Sequence, residues 1–304
     1  MYRFKNNSLT TFDIATYLNT KALFEKEYDI SHAVEFENLR DESFCYVKSI
    51  SAQELGLITA KALIITQEIR GDAAPQKSVP EIIISSDAKR DFYRIVKEFF
   101  IEERPSFVDK SAHIDASASL GINVNVGEGS YIGKNVTIGN NTYIGKGVII
   151  NANVTIGNNC YLKDGSIINS ESFAFFEEDG RTSYIPCFGH LILEDSVWIG
   201  AKAIIETPSI GKALIAKGVK IDDLVQIGSD TSIGADTQIA AGSIIGRGVK
   251  IKEHCSLGIN TLVKPSLTIH EGVVTGMGAV VIHELEKDGV YVGNPARRLP
   301  SKGE

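Results

Sequence analysis

Much of the chain repeats an aliphatic residue at every sixth position. One run extends from Ile114 to Ile168 and a second from Ile215 to Ile269. A period of six fits neither the 3.6-residue turn of an α-helix nor the alternation of a half-exposed strand. Short strands of about four residues joined by corners of about two produce it. The pattern therefore predicts a three-sided parallel β-helix with about 18 residues per coil and about eight coils.

Two other positions of the repeat are restricted. Glycine often follows the aliphatic residue, as at Gly121, Gly127 and Gly139, and a small residue often precedes it by two positions, as at Ser130 and Val136. Small side chains suit a narrowing interior. Glycine is predicted to adopt corner dihedrals that a Cβ atom would strain.

The repeat is interrupted twice. Its phase breaks across residues 169–190, which predicts an insertion ending in Tyr184-Ile185-Pro186. Four additional residues shift the phase again between Ile205 and Ile215. Each interruption indicates a segment that leaves the regular coil.

The residues before the repeat have a different pattern. Apolar runs predict strands at 43–50, 61–66 and 81–85. A helix is expected over 87–100, with Ser86 as its N-cap and an apolar face of Phe92, Ile95, Val96 and Phe99. Residues 71–80 are expected to form a loop. We predict a mainly β protein with three parts: a small α/β domain over 1–105, the β-helix over 106–282 and a C-terminal cap or tail over 283–304.

Composition limits the functional classes. The net charge of −7 argues against a nucleic-acid binder, which needs a basic surface. No apolar run is long enough to span a membrane, and the N-terminus lacks the apolar segment of a signal peptide. The 4 cysteines are scattered without a C-x-x-C pair, so we expect neither zinc nor another metal. The expected location is the cytoplasm.

The repeat of an aliphatic residue followed by Gly resembles the hexapeptide-repeat acyltransferases, which implies a left-handed β-helix. The order of the preceding domain, the 169–190 insertion and VTGMGAVV at 274–281 are similar to the UDP-3-O-acylglucosamine N-acyltransferase family of lipid A biosynthesis. The segment GVYVGNPARRL at 289–299 resembles the terminal loop of CoA-dependent sugar acetyltransferases. The resemblance implies a homotrimer that binds a nucleotide sugar through the N-terminal domain.

Several residues depart from the lipid A family. Ser229 stands where the resemblance implies a histidine base, and Ser266 where it implies a second histidine near the acyl chain. Phe44 matches the first uracil-stacking aromatic residue, whereas Ile50 replaces the second and Val47 an asparagine. The family's long C-terminal helix does not follow GNPARRL. These departures favour acyl-CoA over an acyl carrier protein as co-substrate, with no permanently bound cofactor.

Four residues are candidates for the acyl-transfer chemistry. An attacking amine must lose a proton, which Ser229 cannot accept alone; Asp230 is a weak base unless burial strengthens it. Backbone N–H groups of the corner can stabilise the oxyanion. His190 falls on the same side of the prism, two coils or about 10 Å away. His254 lies on the next side, where a neighbouring subunit can meet it. The alternative is that Ser229 and Asp230 are ordinary solvent-facing corner residues.

Other residues are candidates for substrate binding. The resemblance implies a donor groove between subunits, lined by Gly246, Gly258, Lys264, Gly276 and Gly278. Arg297 and Arg298 are expected either to meet CoA phosphates or to form a solvated tail. On the insertion, a loop carries Phe173, Phe175 and Phe176, which either cover the acceptor or pack on a neighbour.

These patterns together suggest an enzyme that transfers an acyl group, acetyl or another short acyl, from CoA to the amine of a nucleotide-linked amino sugar. The product would serve surface polysaccharide or lipid assembly. One alternative is the lipid A N-acyltransferase itself, using acyl carrier protein. The other is a catalytically silent paralogue that binds a nucleotide sugar.

Overall fold

The computed structural model describes residues 9–71, 79–102 and 106–300. The chain divides into two compact units, Met1–Arg104 and Pro105–Glu304. The first unit mixes helices and strands, and the second consists almost entirely of short strands.

The first unit contains a parallel sheet of four strands flanked by short helices. The sheet strands are His32–Ala33, Ser43–Ser51, Leu63–Arg70 and Glu81–Ile84, in that order. Leu9–Thr10 and Asp29–Ile30 form a separate antiparallel pair. The helices are Thr11–Tyr17, Ala52–Leu57 and Ala88–Ile95, with a 3₁₀ turn at Phe36–Asn38 and a π-helical turn at Val96–Phe100.

The predicted helix near residue 90 differs from the structure at both ends. Its N-cap is Asp87, whose side chain accepts a hydrogen bond from the Arg90 N–H, and not Ser86. The regular α-helix ends at Ile95, and residues 96–100 continue as the π-helical turn. Of the predicted loop 71–80, residues 72–78 lie outside the described residues.

The second unit is a parallel β-helix with three sheets, which we number in chain order. Sheet 1 contains His113–Ile114, Tyr131–Ile132, Ile149–Ile150, Ile167–Ser170, Ile204–Glu206, Gln226–Ile227, Ile244–Ile245, Leu262–Val263 and Val280–Val281. Sheet 2 contains Ser119–Leu120, Thr137–Ile138, Val154–Ile156, His190–Leu193, Lys212–Ile215, Ser232–Ile233, Lys250–Ile251 and Thr268–Ile269. Sheet 3 contains Asn125–Val126, Tyr143–Ile144, Tyr161–Leu162, Trp198–Ile199, Lys220–Ile221, Gln238–Ile239, Ser256–Leu257, Val274–Thr275, Val290–Val292 and Arg297–Arg298.

The period of six follows from this architecture, and the predicted fold class is confirmed. Ile132 pairs with Ile150, one complete coil later, and both are wholly buried. The small residues two positions earlier also point inward. The hydroxyl of Ser130 donates to the carbonyl of Gly145 at 2.7 Å, so an interior serine is satisfied by the backbone of the next coil.

The glycine after each aliphatic residue has a different role from the one predicted. A Cβ on Gly139 would lie 2.6 Å from the carbonyl carbon of Gly157, and a Cβ on Gly127 would lie 2.5 Å from the oxygen of Gly145. Neither glycine has a positive φ. Glycine is therefore needed because successive coils approach too closely for a side chain.

The strained dihedral of each corner falls three positions after the aliphatic residue. Asn135, Asn141 and Gly147 hold such positions, with φ of 56°, 55° and 59°. Asparagine, aspartate and glycine tolerate this left-handed region better than other residues. Polar residues therefore recur at the corners for a backbone reason.

The insertion folds as a hairpin, so the predicted loop is wrong. Phe175–Glu178 pairs antiparallel with Arg181–Tyr184. The Ser172 hydroxyl donates to the carbonyl of Thr207 at 2.6 Å. This bond ties the base of the hairpin to residues 207–211, the second irregular segment, which contains the second shift in the phase of the repeat.

Membrane-spanning helices, metal-ligand groups and cysteine thiols are relevant to the possible functions of the chain. Within residues 9–71, 79–102 and 106–300, no helix is both long and apolar enough to cross a membrane. The same ranges contain no group of three His, Cys, Asp or Glu side chains placed to hold a metal ion. All four cysteines are free thiols, and burial raises the pKa of Cys45 to about 12.

Candidate active site at one corner of the β-helix

Asp230 lies at the corner between sheets 1 and 2. It follows Gln226–Ile227 of sheet 1 and precedes Ser232–Ile233 of sheet 2, with φ at 60°. This is the left-handed position of the repeat, which favours Asp, Asn and Gly. The backbone by itself therefore accounts for an aspartate here.

The carboxylate of Asp230 anchors the second irregular segment. Its Oδ1 accepts the Ser209 N–H at 2.7 Å, and its Oδ2 accepts the Ser209 hydroxyl at 2.7 Å. Arg247 donates through Nε to the same Oδ2 at 3.1 Å and through a terminal nitrogen to the Ser209 hydroxyl at 3.0 Å. Both carboxylate oxygens are occupied, so the side chain holds the segment 207–211 against the corner.

Because of this network, substitutions of Asp230 test its structural role separately from any chemical role. We expect Asp230→Ala to lower the free energy of unfolding by about 2 kcal/mol, because it removes hydrogen bonds to a charged group. Amide exchange should accelerate in residues 207–211. Asp230→Asn keeps the corner dihedral and part of the hydrogen bonding, so it should cost about 1 kcal/mol. Equal protection of the segment in all three proteins would contradict this anchoring role.

Ser229 is buried, and its backbone N–H already has a partner. It donates to Oε2 of Glu206 at 3.1 Å, and Gln226 donates to Oε1 of the same carboxylate at 3.2 Å. Glu206 is a site residue that the sequence analysis missed. The sequence feature that could have revealed Glu206 is its position one residue past Ile205, where the phase of the repeat shifts.

His190 begins a strand of sheet 2 near the same corner. The register pairs it with Lys212, and Asp230 occupies the corresponding position one coil further on, three residues before Ile233. His190 and Asp230 are therefore two coils apart, about 10 Å at strand spacing. The imidazole is half-buried, and its Nε2 lies 2.8 Å from the hydroxyl oxygen of Thr155. In the part of the chain that the structure describes, Nδ1 has no hydrogen-bond partner.

The remaining polar candidates are divided between corners. Ser266 lies at the corner between sheets 1 and 2, two coils beyond Asp230, with an exposed side chain and φ at 61°. His254 lies at the corner between sheets 2 and 3, also exposed, with φ at 58°. The structure thus brings Ser229, Asp230, Ser266 and His190 to one edge of the prism, and places His254 on another.

The residues predicted for the donor groove fall on the two edges of sheet 1. Gly246 and Lys264 follow sheet 1 strands, whereas Gly258, Gly276 and Gly278 follow sheet 3 strands. Between these edges the sheet presents the half-exposed side chains of Ile244 and Leu262. Lys264 is exposed. Arg297 and Arg298 lie apart from them, exposed on the last strand of sheet 3.

The predicted donor glycines also have reasons within the fold. A Cβ on Gly246 would lie 2.6 Å from the Pro265 nitrogen, and one on Gly258 would lie 2.7 Å from the Gly276 carbonyl carbon. A Cβ on Gly276 would lie 2.8 Å from the Cγ1 atom of Val292. Gly278 has a positive φ of 69°. Coil stacking and corner dihedrals thus require these glycines with or without a ligand.

Phe44 is not a ring-stacking residue for a substrate, which corrects the prediction. Its side chain is 0% exposed and packs between Phe92 and Phe100, with ring centroids 4.8 and 5.3 Å away. Strand alternation points it into the core of the first unit. A fully buried ring cannot contact a nucleotide.

The aromatic residues of the insertion remain accessible. Phe173 is 87% exposed and contacts Phe175 edge-on, with centroids 4.9 Å apart. Phe175 also lies 6.0 Å from the ring of Tyr184 across the hairpin. The cluster forms one exposed apolar patch on the hairpin.

The stacked coils form a β-helix that is similar to those of the hexapeptide-repeat acyltransferases. The model of the family described as bacterial transferase hexapeptide (six repeats) matches residues 135–170. Among curated proteins, the UDP-3-O-acylglucosamine N-acyltransferase of Methylobacillus flagellatus is 39% identical over 121 residues, which is 40% of this chain and 35% of that protein. The enzyme of the same name from Prochlorococcus marinus is 42% identical over 72 residues, 24% of this chain and 21% of its own.

Solved structures share the fold at low identity. The UDP-N-acetylglucosamine acyltransferase of Francisella novicida has a TM-score of 0.57 at 22% identity, over 64% of this chain and 70% of that one. The UDP-N-acetylglucosamine acyltransferase from Campylobacter jejuni has a TM-score of 0.57 at 18% identity, over 64% and 74%. These structures establish the fold. The two curated matches above span only 35% and 21% of their relatives' lengths.

Proposed function

We propose that this protein transfers an acyl group from a thioester to the amine of a nucleotide-linked amino sugar. The observation that carries the proposal is the combination, in one chain, of a transferase hexapeptide β-helix and 39% identity to a sugar N-acyltransferase. The corner between sheets 1 and 2 is the proposed site of reaction. It combines a half-buried imidazole with a partly buried cluster of polar groups.

His190 is the proposed general base. Attack of an amine on a thioester carbonyl requires the amine to lose a proton, and imidazole is the side chain best suited to accept one near neutral pH. The contact between Nε2 and Thr155 orients the ring, and Nδ1 faces no competing partner among the described residues. Asp230 is less suitable because Ser209 and Arg247 occupy its oxygens. We assign it to positioning the segment 207–211, with Ser229 and Ser266 beside the acceptor.

Acyl-CoA is the proposed donor. Lys264, Arg297 and Arg298 are exposed cations of the late coils, and cations of this kind bind phosphate groups. The exposed Phe173 and Phe175 supply apolar surface for the acceptor or its acyl chain. No metal takes part in the proposed chemistry.

A second candidate is the lipid A reaction with acyl carrier protein as donor. It is favoured by the names of the curated relatives, which are UDP-3-O-acylglucosamine N-acyltransferases. This candidate differs from the first in donor and acceptor, and the proposed chemistry at the amine is the same.

The two candidates are separated by one set of assays. The purified protein is incubated with acetyl-CoA, longer acyl-CoAs or acyl-acyl carrier protein, and with UDP- and dTDP-linked amino sugars, and free thiol and product mass are measured. Turnover with acyl-CoA supports the first candidate, and turnover only with the carrier protein and UDP-3-O-acylglucosamine supports the second. Binding of a nucleotide sugar without turnover from any donor would indicate a catalytically silent protein.

We also propose that the active assembly is a homotrimer packed through sheet 1. The outward residues Ile149, Ile244 and Leu262 of this sheet are 38%, 47% and 40% exposed, and apolar surface of this kind marks an interface.

Leu262→Asp tests that interface. The variant places a charge in the apolar face, so we expect light scattering after gel filtration to show a shift from trimer to monomer. Lys250→Asp, on the outward face of sheet 2, is the matched control and should remain trimeric. A trimer in both variants would exclude sheet 1 as the interface.

A further inference from the structure

Three aromatic side chains form a continuous stack on the outward face of sheet 3. Tyr143 and Tyr161 are 4.5 Å apart between ring centroids with planes at 15°, and Tyr161 and Trp198 are 4.2 Å apart at 9°. The three residues occupy equivalent positions on successive strands. Since each ring rests on its neighbour, the indole of Trp198 is held in one orientation at the end of the stack.

Trp198 is one of the residues that line a groove on the side of the stack away from Tyr161, where its register neighbour is Lys220. The next strands of sheet 3 carry Lys220, Gln238 and Ser256 at the same outward position, on the side of Trp198 away from Tyr161. The groove that they line has a volume of about 340 Å³. Ligand pockets begin at about 300 Å³, so the space suits one small ring system and its substituents.

The polar groups of the groove are available to a ligand. Neither the Gln238 amide nor the Ser256 hydroxyl has a hydrogen-bond partner among the residues that the structure describes. The carboxylate of Asp222 is exposed on the same wall and accepts one bond, from the Asp223 N–H at 2.8 Å. The ammonium of Lys220 is held by the carbonyl of Ser196 at 2.5 Å. The groove therefore offers an aromatic face with donors and acceptors at its edge.

We propose that this groove binds a nucleobase, stacked on Trp198 with its polar edge towards Gln238 and Asp222. A planar base continues a stack of parallel rings, and base–aromatic stacking tolerates any base. An amide and a carboxylate complement the N–H and C=O groups of a base edge. Phe44 is buried and cannot perform this role, whereas Trp198 is 37% exposed and lines the groove.

The groove is separate from the candidate active site of the same chain. In a three-sided prism, sheet 3 lies opposite the corner between sheets 1 and 2. The inference rests on the proposed function for its choice of nucleotides as ligands. Such a nucleotide belongs either to the sugar acceptor, as a uridine, or to the donor, as the adenosine of CoA. Both nucleotides contain a planar base that can stack in the groove.

Trp198 is the only tryptophan of the chain, so its fluorescence reports on this groove directly. The full-length protein is titrated with UMP, with adenosine 3′,5′-bisphosphate, and with ribose 5-phosphate and glucosamine as ligands without a base. We expect saturable quenching by at least one nucleotide and none by the other two compounds. Quenching by UMP alone assigns the groove to the acceptor, and quenching by the bisphosphate alone assigns it to the donor.

Variants exclude an indirect effect on the fluorescence. Calorimetry should show nucleotide binding weakened about tenfold or more in Trp198→Leu, through loss of stacking, and about threefold to tenfold in Gln238→Ala. Tyr143→Leu, at the far end of the stack, should leave the affinity within about twofold while lowering Tm as much as Trp198→Leu.

The inference is overturned if no nucleotide quenches at millimolar concentration, if glucosamine quenches equally, or if Trp198→Leu binds nucleotide as the wild type does. These measurements need no turnover. Nucleotide binding at Trp198 without acyl transfer would reject the proposed function alone, and acyl transfer with unchanged affinity in Trp198→Leu would reject the groove alone.

Discussion

Replacing His190 by alanine is expected to lower kcat by about a hundredfold or more, with a much smaller change in KM. A positioned general base contributes a factor of about 10² to 10⁴. His190 is the best-placed base at the corner, because its Nδ1 has no hydrogen-bond partner within the described ranges. His190 is at the surface end of a sheet 2 strand, so the circular dichroism spectrum should not change. The measurement is thiol release under saturating donor and acceptor.

Three further experiments separate a base from a structural histidine. Imidazole in the buffer should restore part of the rate to His190→Ala. Thr155→Val, which removes the contact to Nε2, should lower kcat about tenfold because the ring loses its orientation. His254→Ala is the matched control at another corner and should stay within about twofold of the wild type. If His254→Ala loses the rate and His190→Ala retains it, the base comes from the corner between sheets 2 and 3.

Gly200→Ala is expected to have the largest effect on stability. The added Cβ would fall on the carbonyl group of Asp222 and the nitrogen of Asp223. These are backbone atoms of the next coil and cannot turn aside as a side chain can. We expect a loss of about 3 kcal/mol, and a Tm lower by about 10 °C, measured by thermal unfolding.

Gly129→Ala is the matched control for the dihedral effect. Gly129 has a φ of 67°, and an added Cβ would meet no atom within 4 Å. Its cost should be about 1 kcal/mol, from the left-handed conformation alone. If Gly200→Ala does not fold, Gly133→Ala replaces it, because its Cβ would lie 3.0 Å from Asn151. Equal losses at Gly129 and at the close-contact glycines would contradict the importance of coil spacing.

Local pattern predicted the β-helix well because each coil contributes the same buried positions. Ile132 and Ile150 are inward for the same reason, and a period-six search detects both. The same repetition made the residues of the candidate site harder to predict. Asp230, His254 and Ser266 all occupy left-handed corner positions, where backbone preference and chemical function select similar residues. Position in the repeat cannot separate the two causes.

Irregular segments were predicted least well. The insertion carries no repeat, so its hairpin depends on pairing between Phe175–Glu178 and Arg181–Tyr184. The role of Glu206 was missed because its partner, the Ser229 N–H, is one coil away. Phe44 was assigned to a substrate by matching a motif, whereas its environment is formed by Phe92 and Phe100 about 50 residues later.

By itself, the sequence determined the three-sided coil, its interior and its interruptions, because these depend on side-chain size and polarity at a fixed spacing. Only the tertiary structure decided which polar residues meet. It placed His190 beside Thr155, tied Asp230 to Ser209 and Arg247, and put Trp198 in the wall of a groove. The reason is physical: those contacts join residues 17 to 35 positions apart. Their meeting depends on how many residues each coil contains, including those in the irregular segments.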